Sequence, residues 1–269
     1  QLADLATLGL TWDGEVVRQS EHFDRYRAEI DRLRDDGQAY ECFCSRREIR
    51  AEIDAATSAP HAHLPDGAYP GTCRDLSDDE RRSRREAGRS PALRLRTGDE
   101  SITVHDVLVG EYVGAVDDFV LARADGTPAY NLAVVVDDIA QGVTQVVRGD
   151  DLLPSTPRQM LLYRLLGHDV PEYFHVPLVF GDDGERLAKR HGAVTLSDLR
   201  EHGWSPDAVL AALGCSLGHR RRVARTVRSG APAACAGDPG RTDGLTDGSV
   251  GTVGCRRVPC RPTGDATLL

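Results

Sequence analysis

The chain has 269 residues, 40% of them hydrophobic and 28% charged, with a formal net charge of −9 at pH 7. This suits a soluble globular protein of one large or two modest domains. No apolar run approaches a membrane span, Gln1–Leu10 is no signal peptide, and seven irregularly spaced cysteines make a poor secreted disulfide framework, so a reducing cytoplasm fits best.

In chain order, residues 18–38, RQSEHFDRYRAEIDRLRDDGQ, predict an amphipathic helix. Ser20 caps its start, Phe23, Tyr26, Ile30 and Leu33 share one face, and Gly37 ends it. Ser45 and Glu48 predict a capping box opening a second helix, with Ile49 and Ile53 on one side. Residues 58–73 read as a Pro- and Gly-rich loop, and Ser77 with Glu80 opens a third, very polar helix. Residues 91–97 and 101–114 carry strand patterns. Asp125-Gly126 between two apolar stretches is a hairpin signal. Residues 142–149 predict a buried strand, and 155–167 a helix with Pro157 in its first turn and Gly167 past its end. Another strand follows at 173–181, then two short helices opened by Ser197 and Ser205 and closed by Gly203 and Gly214. Strands alternating with helices predict an α/β sheet.

After Gly218 the character changes. Residues 219–269 hold no aromatic residue, no Lys and no Glu, and their charge is +5, which leaves −14 on residues 1–218. They cannot bury enough apolar surface to offset ordering entropy, so the expectation is a disordered tail. The abrupt change also resembles translation in a shifted frame, a reading that an intact frame across the codons for 215–222 would remove.

Cys42 and Cys44 stand one residue apart in YECFCSRREI. An extended i, i+2 pair cannot form a disulfide without strain, whereas two thiolates gripping one metal ion is a natural arrangement. Cys73 lies one loop downstream, after Tyr69. Three thiolates and one further ligand complete a tetrahedral zinc shell, and the fourth can be Tyr69, His61 or His63. A zinc enclosed in this way is structural, because no position is left for water.

Residues 180–196, FGDDGERLAKRHGAVTL, place Arg186, Lys189, Arg190 and His191 within six positions after a strand. A cationic loop of this kind can neutralise charge on a polyphosphate. The stretch RLAKRHGA resembles the Lys-Met-Ser-Lys-Ser signature loop of class I aminoacyl-tRNA synthetases, in the form used by the glutamyl branch. The residues 129–167, the N-terminal stretch LGLTWDGEVVRQSEHFDRYRAEIDRL and the Cys-x-Cys … Tyr-x-x-x-Cys pattern resemble the same branch, over roughly residues 2–218. The chain has no long helical anticodon-binding region after the loop, and its link WDGEVVRQSE is short. In both respects it is similar to the shortened members that glutamylate queuosine in tRNA(Asp).

The resemblance implies a Rossmann-like α/β catalytic domain, incomplete at its N-terminus, with a small zinc-binding insertion. Residues 1–41 would be the remainder of its first half, 42–74 the insertion, 75–218 its second half with the signature loop at 186–190, and 219–269 the tail. It implies ATP-dependent activation of L-glutamate and transfer to tRNA(Asp) by a cytoplasmic monomer. The alternatives are a truncated synthetase charging tRNA(Glu), and a non-catalytic, zinc-stabilised RNA-binding module. Glutamate binding falls on Tyr130 and Arg148, ATP contact and catalysis on Lys189, with Arg186 in place of the first loop lysine and Ala188 in place of its serine. The zinc ligands implied are Cys42, Cys44, Tyr69 and Cys73. By residue type alone, a core tyrosine and a strand-end ion pair with Asp150 or Asp151 would be the better reading of Tyr130 and Arg148. Family members begin with a strand and a His-x-Gly-His-like ATP-binding turn that do not precede Gln1, and the sole methionine is Met160, so the start reads as a cut through a longer polypeptide. The expectation is that this span alone forms the adenylate poorly. Pyrophosphate exchange as fast as that of a complete homologue would contradict it.

Overall fold

The computed structural model describes residues 1–57, 69–98, 100–178 and 195–216. His61, His63, Arg186, Lys189 and the tail 219–269 lie outside the described residues. The chain divides into two compact units: Glu15–Val176, and the two ends, Gln1–Gly14 with Pro177–Leu269.

In chain order the elements are α1 (Leu2–Thr7), α2 (Phe23–Asp35), β1 (Ala39–Cys42), α3 (Arg46–Thr57), α4 (Asp78–Glu86), β2 (Ala92–Leu95), β3 (Ser101–Asp106), β4 (Gly110–Ala115), β5 (Val120–Ala122), α5 (Tyr130–Gln141), β6 (Gln145–Gly149), α6 (Thr156–Leu166), β7 (Glu172–Val176), α7 (Leu196–Glu201) and α8 (Pro206–Ser216). Of these, α1, α7 and α8 belong to the unit of the two ends, and all the others to the larger unit. No helix among the described residues is long and apolar enough to cross a membrane.

The larger unit holds two sheets. One is antiparallel, with strand order β1-β2-β5. The other runs β4-β3-β7-β6: β3 and β4 form an antiparallel hairpin, and β7 is parallel to both β3 and β6. Helix α6 makes the crossover between the parallel neighbours β6 and β7, so this part is a βαβ unit of an α/β fold. The hairpin lies close to the first turn of α6. A Cβ on Gly114 would sit 2.7 Å from the Pro157 ring, which is why a side chain is excluded there.

The core follows the predicted face of α2. Tyr26, Ile30 and Leu33 are buried in one cluster with Leu95 and Leu121 of the first sheet, Leu132, Val135 and Val136 of α5, and Leu162 of α6. Each such large side chain contributes about 1.5–3 kcal/mol on burial. The capping boxes at Ser45–Glu48 and Ser77–Glu80 are both formed. Gly167 ends α6 in the left-handed conformation, with φ 79°.

Several expectations need correction. Ser20 does not cap α2: it sits in a single 3-10 turn, Gln19–Glu21, and the helix starts at Phe23 with no side-chain cap. Residues 101–114 are two strands, not one, because the Asp106 carboxylate accepts the N–H groups of Leu108 and Val109 and turns the chain. Strand β6 is not buried. It is the sheet's outer strand, and Val147 is 66% exposed. The Asp125-Gly126 turn forms, but its second arm is one bridge, Ala122 with Pro128, before α5 begins. Helix α7 is capped by Thr195 with Asp198 rather than by Ser197, and Gly214 lies inside α8.

Asp118 fastens the first sheet to its surroundings. Its buried carboxylate accepts from the Tyr40 hydroxyl (2.6 Å), the Arg74 guanidinium (2.9 Å), and the Thr97 N–H (2.8 Å) and hydroxyl (2.9 Å). Burial alone would raise this carboxyl, but these donors outweigh it and hold it below its ordinary value. A carboxyl lowered by folding stabilises above its unfolded pKa, about 3.9, and loses that contribution as pH falls below it. Asp118→Asn is therefore expected to cost about 2–3 kcal/mol at pH 7 and to flatten the acid limb of stability against pH. Denaturant titrations from pH 7 to pH 3 check this; an unchanged acid limb would refute it.

Candidate functional site

Arg148 stands near the C-terminal end of β6, His175 is its register partner on β7, and Asp106 ends β3. Ligands of α/β sheets bind outside the carboxyl ends of the strands, and these three residues share that edge. The half-buried Arg148 guanidinium donates from Nε to His175 Nε2 (3.0 Å), from Nη1 to Gln159 Oε1 (2.6 Å) and from Nη2 to the Thr156 hydroxyl (2.7 Å). Gln159 and Thr156 are three apart on α6 and so face the same way. The Gln159 amide in turn donates to Asn131 at the start of α5 (3.1 Å).

All three partners of Arg148 are neutral. Among the described residues no ion pair joins Arg148 to a carboxylate, so the ion-pair alternative with Asp150 or Asp151 is not what the geometry shows. Burial pushes the guanidinium down from its usual value, against the opposing influence of Tyr173, Tyr130, Asp138 and Tyr163. Its carbon lies 5.1 Å from the Tyr173 ring centroid. Three of the five N–H groups are used in these bonds, which leaves one on each terminal nitrogen without a partner among the described residues. Tyr130 is the first residue of α5 and is 57% exposed, as a ligand-facing hydroxyl requires. Tyr130 is within electrostatic reach of Arg148.

Asp137 and Asp138, to which the sequence assigned no role, lie inside α5. Asp137 is buried and accepts the Tyr26 hydroxyl (2.7 Å), tying α5 to α2, while Asp138 accepts from Tyr163 (3.2 Å). Asp106, His175, Thr156 and Gln159 were not singled out in the sequence. Their signal was weak: polar residues at alternating positions within otherwise apolar strand and helix patterns.

The second assembly is the cysteine cluster. Strand β1 ends at Cys42, Cys44 follows, and the loop 69–75 returns beside them. The three sulfurs lie within 4.8 Å of one another, with Cys44 and Cys73 at 3.4 Å. The Tyr69 hydroxyl stands 3.3 Å from Cys42 Sγ and 3.6 Å from Cys44 Sγ. Ligands about 2.3 Å from one tetrahedral ion are about 3.8 Å apart, so these donors are close to a metal-binding set. Tyr69 is held firmly: its ring lies under the Arg94 guanidinium, 3.8 Å away, and its N–H donates to Asp117 (3.2 Å). Burial pushes the Cys44 thiol up to about 12 and raises the Tyr69 hydroxyl. Cys73 moves the other way: burial opposes it, but the Phe43 N–H, neighbouring hydrogen bonds and Arg84, 3.2 Å from the sulfur, favour the thiolate. The geometry brings together Cys42, Cys44, Cys73 and Tyr69, while His61 and His63 are outside the described residues.

Comparison with known proteins shows the family. Residues 1–226 match the family described as tRNA synthetases class I (E and Q), catalytic domain. A Nocardia farcinica protein named Glutamyl-Q tRNA(Asp) synthetase is 62% identical over 218 residues, covering 81% of this chain and 68% of its own length. A Glutamate–tRNA ligase 1 of Alkalilimnicola ehrlichii is 44% identical over 78% of this chain and 43% of its own. Among solved structures, a glutamate tRNA ligase from Elizabethkingia meningosepticum, in complex with its amino acid, is 25% identical with a TM-score of 0.64; it covers 78% of this chain, which spans 48% of it. The chain therefore belongs to the class I tRNA synthetases (E and Q), catalytic-domain family, in the branch of the glutamyl-Q tRNA(Asp) synthetases.

Proposed function

We propose that the protein activates L-glutamate with ATP and transfers it to queuosine in the anticodon of tRNA(Asp), acting as a cytoplasmic monomer. The observation that carries this reading is Arg148, a desolvated guanidinium held by three neutral acceptors with two N–H groups beyond them. Such a cation favours a carboxylate ligand, bound bidentately. In this reading Arg148 and Tyr130 grip glutamate. Lys189, with Arg186, contacts ATP, and Lys189 stabilises charge as pyrophosphate leaves. The glutamate-site residues lie in the proposed second half of the catalytic domain, 75–218, and the cysteine cluster in the proposed insertion, 42–74. The choice of queuosine rests on the relative named for that reaction at 62% identity. The 44% relative named a glutamate–tRNA ligase favours the second reading, charging of tRNA(Glu).

Cys42, Cys44, Tyr69 and Cys73 would hold a zinc ion in the same reading. With four protein ligands its part is structural: it cross-links β1 to the 69–75 loop and leaves no open position for substrate. The purified protein is expected to contain about one equivalent of zinc and Cys44→Ser much less. Stripping the metal with a chelator should cost about 2 kcal/mol or more, a fall of about 4–8 °C in Tm. Metal analysis with thermal melts checks this, and a full melt without metal would refute it.

The functional test is glutamylation by the full-length protein of tRNA(Asp) with and without queuosine, and of tRNA(Glu). Glutamate is expected on queuosine-containing tRNA(Asp) alone, and Arg148→Gln should lower kcat/KM for glutamate about 100-fold or more. Label on tRNA(Glu) instead would establish the second reading. Binding of tRNA with no transfer would establish a non-catalytic module.

A further inference from the structure

The groups around Arg148 do more than fill space. His175 is 1% exposed and Asp106 4%, and both belong to the same sheet edge. Asp106 Oδ2 lies 2.6 Å from His175 Nδ1, and the same carboxylate accepts the His175 backbone N–H at 3.0 Å. A carboxylate beside Nδ1 keeps the proton on that nitrogen, so Nε2 presents a lone pair. That lone pair faces Arg148 Nε–H at 3.0 Å, with the Thr156 hydroxyl at 3.2 Å. The Tyr173 ring stacks on the imidazole, with centroids 5.9 Å apart and planes at 16°, and so restrains its rotation.

We infer that Asp106 and His175 are positioning residues for substrate carboxylate recognition: Asp106 fixes the imidazole tautomer, and His175 orients the Arg148 guanidinium while leaving its charge for the substrate. This rests on the proposed role of Arg148 in binding glutamate. A direct Arg148–Asp contact would orient the guanidinium equally well but would occupy its charge. Interposing a neutral imidazole keeps the orientation without an ion pair. The Asp106 charge is in turn held by donors of its own: Val109 N–H and Leu108 N–H accompany the His175 ring. Burial would raise this carboxyl, and together these donors hold it below the usual carboxylate range. Gln159 and Thr156 complete the cradle with neutral acceptors, so among the described residues no side chain hydrogen-bonded to Arg148 carries a negative charge. The design favours a carboxylate over an amide, which offers one acceptor oxygen and no charge.

The test uses the full-length protein and two readouts. Glutamate- and ATP-dependent pyrophosphate exchange gives KM and kcat for wild type, His175→Phe, His175→Gln and Asp106→Asn. Nitrogen-15 NMR of histidine-labelled protein reads the His175 tautomer. The expected wild-type ring is neutral with the proton on Nδ1. His175→Phe keeps the ring but removes the acceptor, and should raise KM for glutamate about tenfold while KM for ATP and kcat stay within about twofold. His175→Gln, which returns an acceptor, should recover most of that loss, and Asp106→Asn should fall between. A general loss of folding would lower every parameter without this split or this rescue, and thermal melts of Asp106→Asn, the mildest change, separate the two. An unchanged glutamate KM in both His175→Phe and Asp106→Asn, or a wild-type ring protonated on Nε2, would overturn the inference. Wild-type protein that gives no glutamate-dependent exchange would overturn the functional reading itself, and the inference with it.

Discussion

Strands β3 and β7 run side by side over a single register pair, Asp106 with Tyr173, and the carboxylate of Asp106 does much of the joining. Two of its contacts reach across to His175, and two turn the chain into the β3–β4 hairpin. A buried carboxylate with several N–H partners is strongly held, because losing any one of them leaves charge desolvated without compensation. Asp106 thus helps to join β3 to β7, beside the Val107 N–H bond to the Tyr173 carbonyl, and the same residue sets the state of the imidazole that faces Arg148. Geometry at the candidate site is thus coupled to sheet assembly rather than added to it.

The larger unit treats its buried charges in two ways. Asp118 is surrounded by donors, including the Arg74 guanidinium, and its role ends in structure: it joins the start of β1, the loop after Cys73 and the turn after β2. Among the described residues the acceptors bonded to Arg148 are neutral, and Asp138 acts on it only through space. A charge left in that condition destabilises the fold relative to a paired one unless something else gains from it. The gain proposed here is affinity for an anionic substrate, and that contrast separates the binding group from the structural one more sharply than burial does.

Local signals were legible in the sequence and long-range ones were not. The capping boxes at Ser45 and Ser77 depend on residues three apart, and the face of α2 on a 3.6-residue period, so both could be read directly. Helix α5 was hidden because its apolar residues follow directly on the Asp125-Gly126 turn and so read as the second arm of a hairpin. The cysteine cluster was legible because its residue types are restrictive even across a loop. Asp106 and His175 are 69 positions apart and meet only through the order of the strands. Each local stretch marks them only weakly, and the edge position of β6, with β7 its neighbour among the described residues, is equally a product of topology.

The same contrast separates the two candidate sites. At the cysteine cluster, protein groups point at each other from all directions: three sulfurs and a tyrosine hydroxyl converge, with Arg84 beside Cys73 and Arg94 over the Tyr69 ring. Such a donor set is complete from within the chain and suits a closed, structural centre. At Arg148 the acceptors among the described residues account for three N–H groups, while Tyr130 stands exposed at the start of α5. A cation whose orientation is fully determined and whose charge is not neutralised by a bonded carboxylate is preorganised for one from outside, because the cost of ordering and desolvating it is already met in folding. In the proposed reading the cysteine cluster holds the insertion together, and the sheet edge recognises a ligand.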